Sequence, residues 1–197
     1  MDTLGYGQRT FMGCTLLHKM IGQGHYIGIV RFMADLVTQK AINEGECQYD
    51  GWEKASPLWL VTNLNQNDPR LVSPRKELVS LLVEKGANVN HLATYTSFAD
   101  VEDYTTSSPL CEAAKHGWDD IAAILLKNGA NATLGDEKPL IEATERLHDE
   151  VARLVLESGV DPDMQDKFRH TAMEWAMYNK DDFIINMLKE FGAAELS

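Results

Sequence analysis

Residues 108–131 read Ser108-Pro-Leu-Cys-Glu-Ala-Ala-Lys-His-Gly-Trp-Asp-Asp-Ile-Ala-Ala-Ile-Leu-Leu-Lys-Asn-Gly-Ala-Asn131 and predict two short helices joined by a tight turn. Ser108 can cap a helix, and the proline after it suits the first helical position. Gly117 ends this helix, and Asp119 begins the next one, where a carboxylate meets the positive end of the helix dipole. Gly129 stands where a left-handed C-terminal cap is expected. The stretch therefore predicts one helical hairpin.

The same hairpin recurs along the chain. Residues 139–161 repeat it at an offset of 30, and residues 171–193 repeat it again at a further offset of 33, so that Gly129 corresponds to Gly159 and Gly192. Looser copies begin at Gly13 and at Ser56. A single helix pair cannot bury its own apolar face, so such units must stack on their neighbours. The sequence therefore predicts about five stacked units.

These units resemble the ankyrin repeat. The resemblance is carried by short motifs at corresponding positions, which are Gly13-x-Thr15-x-Leu17-His18, Ser56-Pro57-Leu58, Ser108-Pro109-Leu110 with Ala113-Ala114, and the recurring Gly-Ala-Asn endings. It covers about residues 10–195. It implies an all-α solenoid in which inner helices and hairpin or loop fingers line a concave face, while outer helices form the convex back.

The register divides the chain into units and insertions within a single domain, residues 1–197. The five units are predicted at about 10–37, 52–90, 103–132, 133–161 and 166–195. Three insertions interrupt them, at about 38–52, 64–75 and 91–107. Long ordered loops in compact folds often carry function, and the 91–107 insertion lengthens the finger that leads into the most regular unit.

The pattern also departs from glycine at three turn positions. Leu147 and Lys180 stand in inter-helix turns where Gly117 stands in the third unit, and Arg169 stands before Thr171. These turns are expected to adopt less typical geometry or to carry backbone strain.

Composition favours a soluble chain in a reducing compartment. The chain has 197 residues, of which 44% are hydrophobic and 24% are charged. Its apolar runs are far shorter than the roughly 20 residues of a membrane-spanning helix, and its first residues do not resemble a signal peptide. The three cysteines are an odd number at unrelated spacings, which favours reduced thiols. We therefore expect a cytoplasmic protein, or a protein of the host cytosol if it is a secreted effector.

Charge is distributed unevenly. The net charge is −12, residues 1–98 hold 9 basic and 9 acidic side chains, and residues 99–197 hold 9 basic and 21 acidic ones. Phosphates would be repelled by the second half, which argues against nucleic acid and anionic membranes as partners. A protein with a basic surface remains compatible with this charge.

No constellation of residues supports catalysis. The six histidines are scattered without the i, i+4 spacing of a metal-ligand pair, and His18 falls at a repeat position where a structural hydrogen bond is usual. The glycines of Gly22-Gln-Gly24 do not match a phosphate-binding fingerprint. Cys14 and Cys111 have no base beside them in sequence. The sequence therefore predicts no catalytic residue, no metal site and no cofactor.

The resemblance to ankyrin repeats implies that partner-binding residues lie at the finger tips and at the late positions of the inner helices. The acidic pairs that begin the outer helices are explained by the helix dipole, whereas the finger segments 99–107, 131–138 and 160–171 hold eight further acids against three bases. Exposed aromatic side chains often anchor protein interfaces. The predicted site consists of Trp52, Tyr95, Phe98, Asp100, Glu102, Asp103, Tyr104, His116, Glu145, Asp163, Asp166, Phe168 and Tyr178. Some aromatics could instead fold back onto the solenoid, and Trp175 is expected to pack in the core.

Two functional hypotheses follow. In the first, the chain is a monomeric, non-catalytic module whose acidic, aromatic concave face binds a basic protein and inhibits or neutralises it. In the second, it is an adaptor or secreted effector that brings two macromolecules together. An inhibitor needs one partner, whereas an adaptor holds two at once.

Overall fold

The computed structural model describes residues 42–43, 47–49, 52–63, 75–96 and 104–194. Its strands are β1 (Cys47–Tyr49), β2 (Trp52–Ala55), β3 (Ala93–Thr96) and β4 (Tyr104–Ser107). Its helices are α1 (Pro57–Asn63), α2 (Arg75–Glu84), α3 (Pro109–His116), α4 (Asp119–Lys127), α5 (Pro139–Glu145), α6 (Asp149–Glu157), α7 (Ala172–Asn179) and α8 (Asp182–Glu190).

The helices form two packed rows. The inner row is α1, α3, α5 and α7, each helix packing on the next, and the outer row is α2, α4, α6 and α8. Each inner helix also packs on the outer helix that follows it. One apolar core runs between the rows, and its buried members include Leu58, Leu110, Leu125 and Leu140. This is the repeat solenoid that the sequence predicts.

Local sequence explains where the helices begin. Ser108 accepts a hydrogen bond from the Cys111 N–H at 3.2 Å, and Pro109 fills the first helical position of α3. Thr171 caps α7 in a reciprocal pair with Glu174. The outer helices α4, α6 and α8 begin with acidic residues as predicted, and Asp181 caps α8 by accepting from two backbone N–H groups.

The fingers of the earlier units form a sheet. The four strands are antiparallel in the order β1-β2-β3-β4, with Trp52 opposite Tyr95 and Thr96 opposite Tyr104. The ends of the predicted insertion 91–107 are therefore the β3–β4 hairpin. The insertion lengthens a hydrogen-bonded finger that pairs with the finger before it.

Among the residues that the structure describes, four other than glycine occupy the left-handed backbone region. Leu147, Arg169 and Lys180, with φ of 61°, 69° and 57°, are the three positions where the sequence pattern departs from glycine. Lys54, with φ of 58°, precedes Ser56-Pro57 much as Arg169 precedes Thr171-Ala172. The turns keep the conformation of Gly117 (φ 69°) instead of changing shape, so each carries backbone strain.

Some sequence predictions fall outside the described residues. They are the unit at 10–37, most of the insertion at 38–52 and nearly all of the insertion at 64–75. Across the part of the chain that the structure describes, no helix is both long enough and apolar enough to cross a membrane.

Candidate protein-binding groove

A groove runs between the fingers and the inner helix α5. Its first pocket has a volume of about 310 Å³ and is lined by Tyr95, Thr105, Asp136, Glu137, Glu142, Asp166, Lys167 and Phe168. Strands β3 and β4 supply one side of this pocket, and the segments that lead into α5 and α7 supply most of the rest. The fold thus brings together Tyr95, Asp166 and Phe168 of the predicted site.

Two of the pocket carboxylates are held in place by hydrogen bonds from neighbouring groups. Asp136 Oδ2 accepts from the Thr106 N–H at 2.9 Å and from the Thr106 hydroxyl at 2.7 Å. Asp166 Oδ1 accepts from the backbone N–H groups of Phe168 and His170 at 2.8 and 2.9 Å. These bonds orient the carboxylates without cancelling their formal charge.

A buried ion cluster adjoins this pocket. Glu112 is 1% exposed, and its two carboxylate oxygens accept from Ser107 Oγ at 2.5 Å and Asn63 Nδ2 at 2.7 Å. Lys115 Nζ lies 3.2 Å from Glu112 Oε1 and 2.5 Å from Glu137 Oε2. The cluster joins three successive units through hydrogen-bonded charges.

Burial and the charges of this cluster change the pKa values of Lys115 and of the nearby Glu142. Burial opposes the charge of Lys115, but the nearby carboxylates, Glu112 above all, outweigh burial and raise its pKa. Burial raises the pKa of Glu142 to about 7, against the lowering effects of Lys115 and of Arg146, whose Nη1 lies 2.5 Å from Glu142 Oε2. The groove therefore holds a carboxyl group that titrates near neutral pH.

A second pocket lies beside helix α7. It has a volume of about 460 Å³ and is lined by His170, Glu174, Trp175 and Tyr178. The ring centroids of Trp175 and Tyr178 are 5.8 Å apart and their planes are nearly perpendicular, at 87°. His170 meets Trp175 edge-on at 5.7 Å, and its ring centroid is 6.2 Å from that of Phe168, which lines the first pocket.

Other predicted residues lie apart from these pockets. Trp52 folds back onto the solenoid, with its ring centroid 4.9 Å from that of the buried Trp59 and 5.5 Å from that of Tyr95. His116 lies at the end of α3 and stacks on Trp118 at 4.6 Å. Burial, together with the positive charge of Arg75, lowers the pKa of His116 to about 4.

Asp163, Glu145 and Tyr104 have different surroundings. The Asp163 carboxylate accepts from the Ala194 N–H at 3.0 and 3.1 Å and so ties its finger to the residues after α8. Glu145 Oε2 lies 2.9 Å from Arg146 Nη1. Tyr104 is 59% exposed on β4. The remaining predicted residues, Phe98, Asp100, Glu102 and Asp103, lie outside the described residues.

Sequence reasoning missed the buried cluster and part of the second pocket. Glu112 and Glu142 occupy corresponding positions of consecutive units, at the offset of 30, so their repetition was an available signal. Trp175 packs against the core as expected, but it also forms a wall of the second pocket. This double role depends on where Tyr178 and His170 lie around it, which the spacing alone does not show.

Comparison with known proteins agrees with this architecture. A family model described as ankyrin repeats (3 copies) matches the chain over residues 73–166 and 110–195. These matches together cover more than half of the chain. No curated protein matches it.

Proposed function

The chain belongs to the ankyrin-repeat family, whose repeats mediate protein–protein interaction and are typically not enzymes, and we propose that its groove binds the basic surface of a protein partner. The groove consists of the first and second pockets. The observation that carries the proposal is the lining of the first pocket, where charged and aromatic side chains meet.

Once Glu142 is ionised, above its pKa of about 7, the charge in the first pocket is predominantly negative. Its lining holds four carboxylic acids, Asp136, Glu137, Glu142 and Asp166, against one cation, Lys167. The adjoining Lys115 and Arg146 offset part of this charge through ion pairs with Glu137 and Glu142. A pocket with surplus carboxylates attracts cationic side chains and speeds the encounter with a basic surface.

Exposed aromatics border the same pocket. Phe168 is 66% exposed and Tyr95 is 37% exposed, so both leave apolar surface in contact with water. Burying aromatic side chains at the centre of an interface commonly supplies much of the binding energy. Tyr95 belongs to the finger sheet and Phe168 to the segment before α7, so a partner seated between them would contact two units of the solenoid.

Such binding would cover a basic surface of the partner. If that surface carries the partner's own active or nucleic-acid-binding site, covering it inhibits the partner. An adaptor would use the same groove but would also hold a second protein elsewhere. We propose the inhibitory role because the acidic and aromatic side chains of the two pockets adjoin each other, so that one partner can contact both pockets.

The experiment is run at about pH 8.5, where Glu142 is ionised despite its pKa of about 7, so that the two variants compared have equal changes in charge. Asp166→Asn/Glu142→Gln removes two groove charges while keeping oxygen acceptors for the local hydrogen bonds. Glu150→Gln/Asp182→Asn removes two charges from exposed positions in the first turns of the outer helices α6 and α8. Immobilised wild-type and variant chains would capture protein from native lysate at low and high salt, and association rates would then be measured with the captured protein.

We expect the wild-type chain and the outer-helix variant to capture the same basic protein at low salt. The groove variant should associate about five- to tenfold more slowly, with a smaller dependence on salt. Equal binding by the two variants, or capture of an acidic protein alone, would show that the groove does not recognise a basic surface.

A further inference from the structure

The second pocket has the geometry of an aromatic corner with a carboxylate beside it. Trp175 and Tyr178 are three residues apart on α7 and therefore share one face of the helix. Their rings stand nearly perpendicular, at 87°, and the His170 ring closes a third side by meeting Trp175 at 73°. The faces of aromatic rings carry partial negative charge, so such a corner attracts a cation.

Packing of the core does not account for this arrangement. Tyr178 is 77% exposed, more than any other large hydrophobic residue among those described, and Phe168 beside His170 is 66% exposed. Trp175, in contrast, packs against the core, which gives the pocket one rigid wall. The pocket is thus preformed on one side and open to solvent on the other.

Glu174 supplies a carboxylate at the edge of the pocket. Its Oε2 accepts from the Thr171 N–H at 2.7 Å and from the Thr171 hydroxyl at 3.3 Å in the capping pair of α7. These bonds fix the side chain at the start of the helix, and within the described residues Oε1 accepts no hydrogen bond. One carboxylate oxygen therefore remains available to a ligand that can donate an N–H.

We propose that the second pocket binds a single arginine side chain of the partner, an inference that rests on the proposed function for the origin of that arginine. A guanidinium can lie flat against the Trp175 ring and donate from its edge to Glu174 Oε1. Arginine is also more weakly hydrated than lysine, so it loses less on leaving water for an aromatic surface.

The charge around the pocket fits this ligand. Asp166 lies beside His170, with its Oδ2 3.4 Å from His170 Nδ1. The nearby Lys167 donates to Thr105 Oγ1 at 2.5 Å and lies 5.0 Å from the centre of the Phe168 ring, on the first pocket. The same partner segment can then contact Phe168 in the first pocket and place its arginine in the second.

The test needs no partner and uses the full chain. Nα-acetyl-arginine methylamide is titrated at constant ionic strength while the indole N–H signals are followed by NMR, and Trp175→Phe identifies the Trp175 signal. The neutral isostere Nα-acetyl-citrulline methylamide and the lysine analogue serve as parallel probes. We expect saturable movement of the Trp175 signal with the arginine probe and at least threefold weaker binding of the other two.

Variants separate recognition from folding. Glu174→Gln keeps the capping pair, since glutamine serves at this position, and Tyr178→Ala changes a side chain that is largely in solvent. Each should weaken binding of the arginine probe about three- to fivefold, as expected for an exposed cation–π or charge-assisted contact. Phe183→Ala, which removes an exposed aromatic ring from the outer helix α8, should leave binding unchanged.

The outcomes distinguish this inference from the proposed function. No movement of the Trp175 signal, or an equal response to citrulline or lysine, overturns the arginine assignment. This holds even if the groove variant loses partner capture, in which case the proposed function stands alone. Saturable, arginine-selective binding supports the second pocket independently of whether capture depends on Asp166 and Glu142.

Discussion

The His148 imidazole lies against the backbone of Gly117, with its Nδ1 only 2.5 Å from the position that a β-carbon on Gly117 would occupy. Gly117 ends α3 with a φ of 69°, and His148 precedes α6 in the next unit. His148 Nε2 is also 3.3 Å from the Lys115 carbonyl oxygen. The absence of a side chain at residue 117 therefore lets consecutive units approach closely at this turn.

We predict that Gly117→Ala lowers the free energy of unfolding by about 2–4 kcal/mol, through left-handed strain and collision with His148. Gly129→Ala is the control, because Gly129 also has a positive φ of 84° but no atom within 4 Å of its would-be β-carbon. It should cost about 1 kcal/mol. Urea denaturation would measure the loss of stability in each variant. A second substitution, His148→Ala, should restore part of the loss in Gly117→Ala but not in Gly129→Ala. Equal costs at the two glycines would contradict the steric role of His148.

At the strained turns, substitution by glycine should instead stabilise the protein. Leu147→Gly and Lys180→Gly should each raise the free energy of unfolding by about 0.5–1 kcal/mol, because relief of left-handed strain exceeds the entropy that glycine adds to the unfolded chain. Leu147 is 53% exposed, so little apolar burial is lost. Lys180→Ala is the control, since it removes the charge but keeps a β-carbon. A midpoint shift in Lys180→Ala as large as in Lys180→Gly would show that backbone strain is not the cause.

The buried ion cluster predicts a large effect from one substitution. Glu112→Ala leaves Lys115 with only one of its two carboxylate partners and leaves Asn63 Nδ2 without its acceptor, so we expect a loss of about 3 kcal/mol. Glu150→Ala, at an exposed position of α6, should change stability by less than about 0.5 kcal/mol. Chemical denaturation compares the two. If Glu112→Ala were no worse than Glu150→Ala, the cluster would contribute nothing to the packing of units.

We expect the contribution of Glu142 to stability to fall as the pH rises through the pKa of this residue. Its pKa is raised from 4.5 to about 7 in the folded protein, so the folded state binds the proton more tightly than the unfolded chain does. This contribution is fully present below about pH 4.5 and is lost as pH rises to about 7, with an upper limit of about 3 kcal/mol. The Glu142 side chain is 13% exposed, which limits solvent screening.

We expect His116 to make stability depend on pH in the opposite direction. Its pKa is lowered from 6.5 to about 4, so the folded state disfavours the imidazolium, and stability is lost as pH falls from about 6.5 to about 4. Between about pH 5 and about pH 6.5 the two contributions oppose each other. Acidification over this range should therefore destabilise Glu142→Gln and stabilise His116→Gln relative to the wild type. Urea denaturation midpoints of the wild type and both variants at about pH 5 and about pH 6.5 test this. If acidification changed the stability difference from the wild type in the same direction in both variants, the prediction would be wrong.

The parts of the fold that depend on local sequence could be predicted. The Ser108 cap, the turn at Gly117 and the acidic starts of α4, α6 and α8 follow from residues within one or two turns of each other. Repetition then places the units in a stack, because each copy leaves the same apolar face to be covered. Even the strained positions Leu147 and Lys180 could be identified by comparing copies.

Contacts between distant residues could not be predicted in the same way. The pairing of Trp52 with Tyr95 and the ion pair of Lys115 with Glu137 depend on the relative placement of two fingers or two units. The composition of the fingers indicated acidity but not that Asp163 would bond to the Ala194 N–H. Side chains of the same type thus serve structure in one finger and line a pocket in another.

The finger sheet gives the solenoid unequal stiffness along its length. Backbone hydrogen bonds join β2 to β3 across about 40 residues of sequence, so the units that carry these fingers resist extension by shearing a hydrogen-bonded sheet. The finger before α5 joins β4 through two backbone hydrogen bonds, from the Asp136 and Glu137 N–H groups to the Thr106 carbonyl oxygen, and among the described residues no strand precedes α5 or α7 after β4. Under a pulling force the C-terminal units should yield first and singly, whereas the sheet-bearing units should yield together at higher force. The part of the described solenoid that carries the second pocket would then extend more readily than the part that carries the sheet.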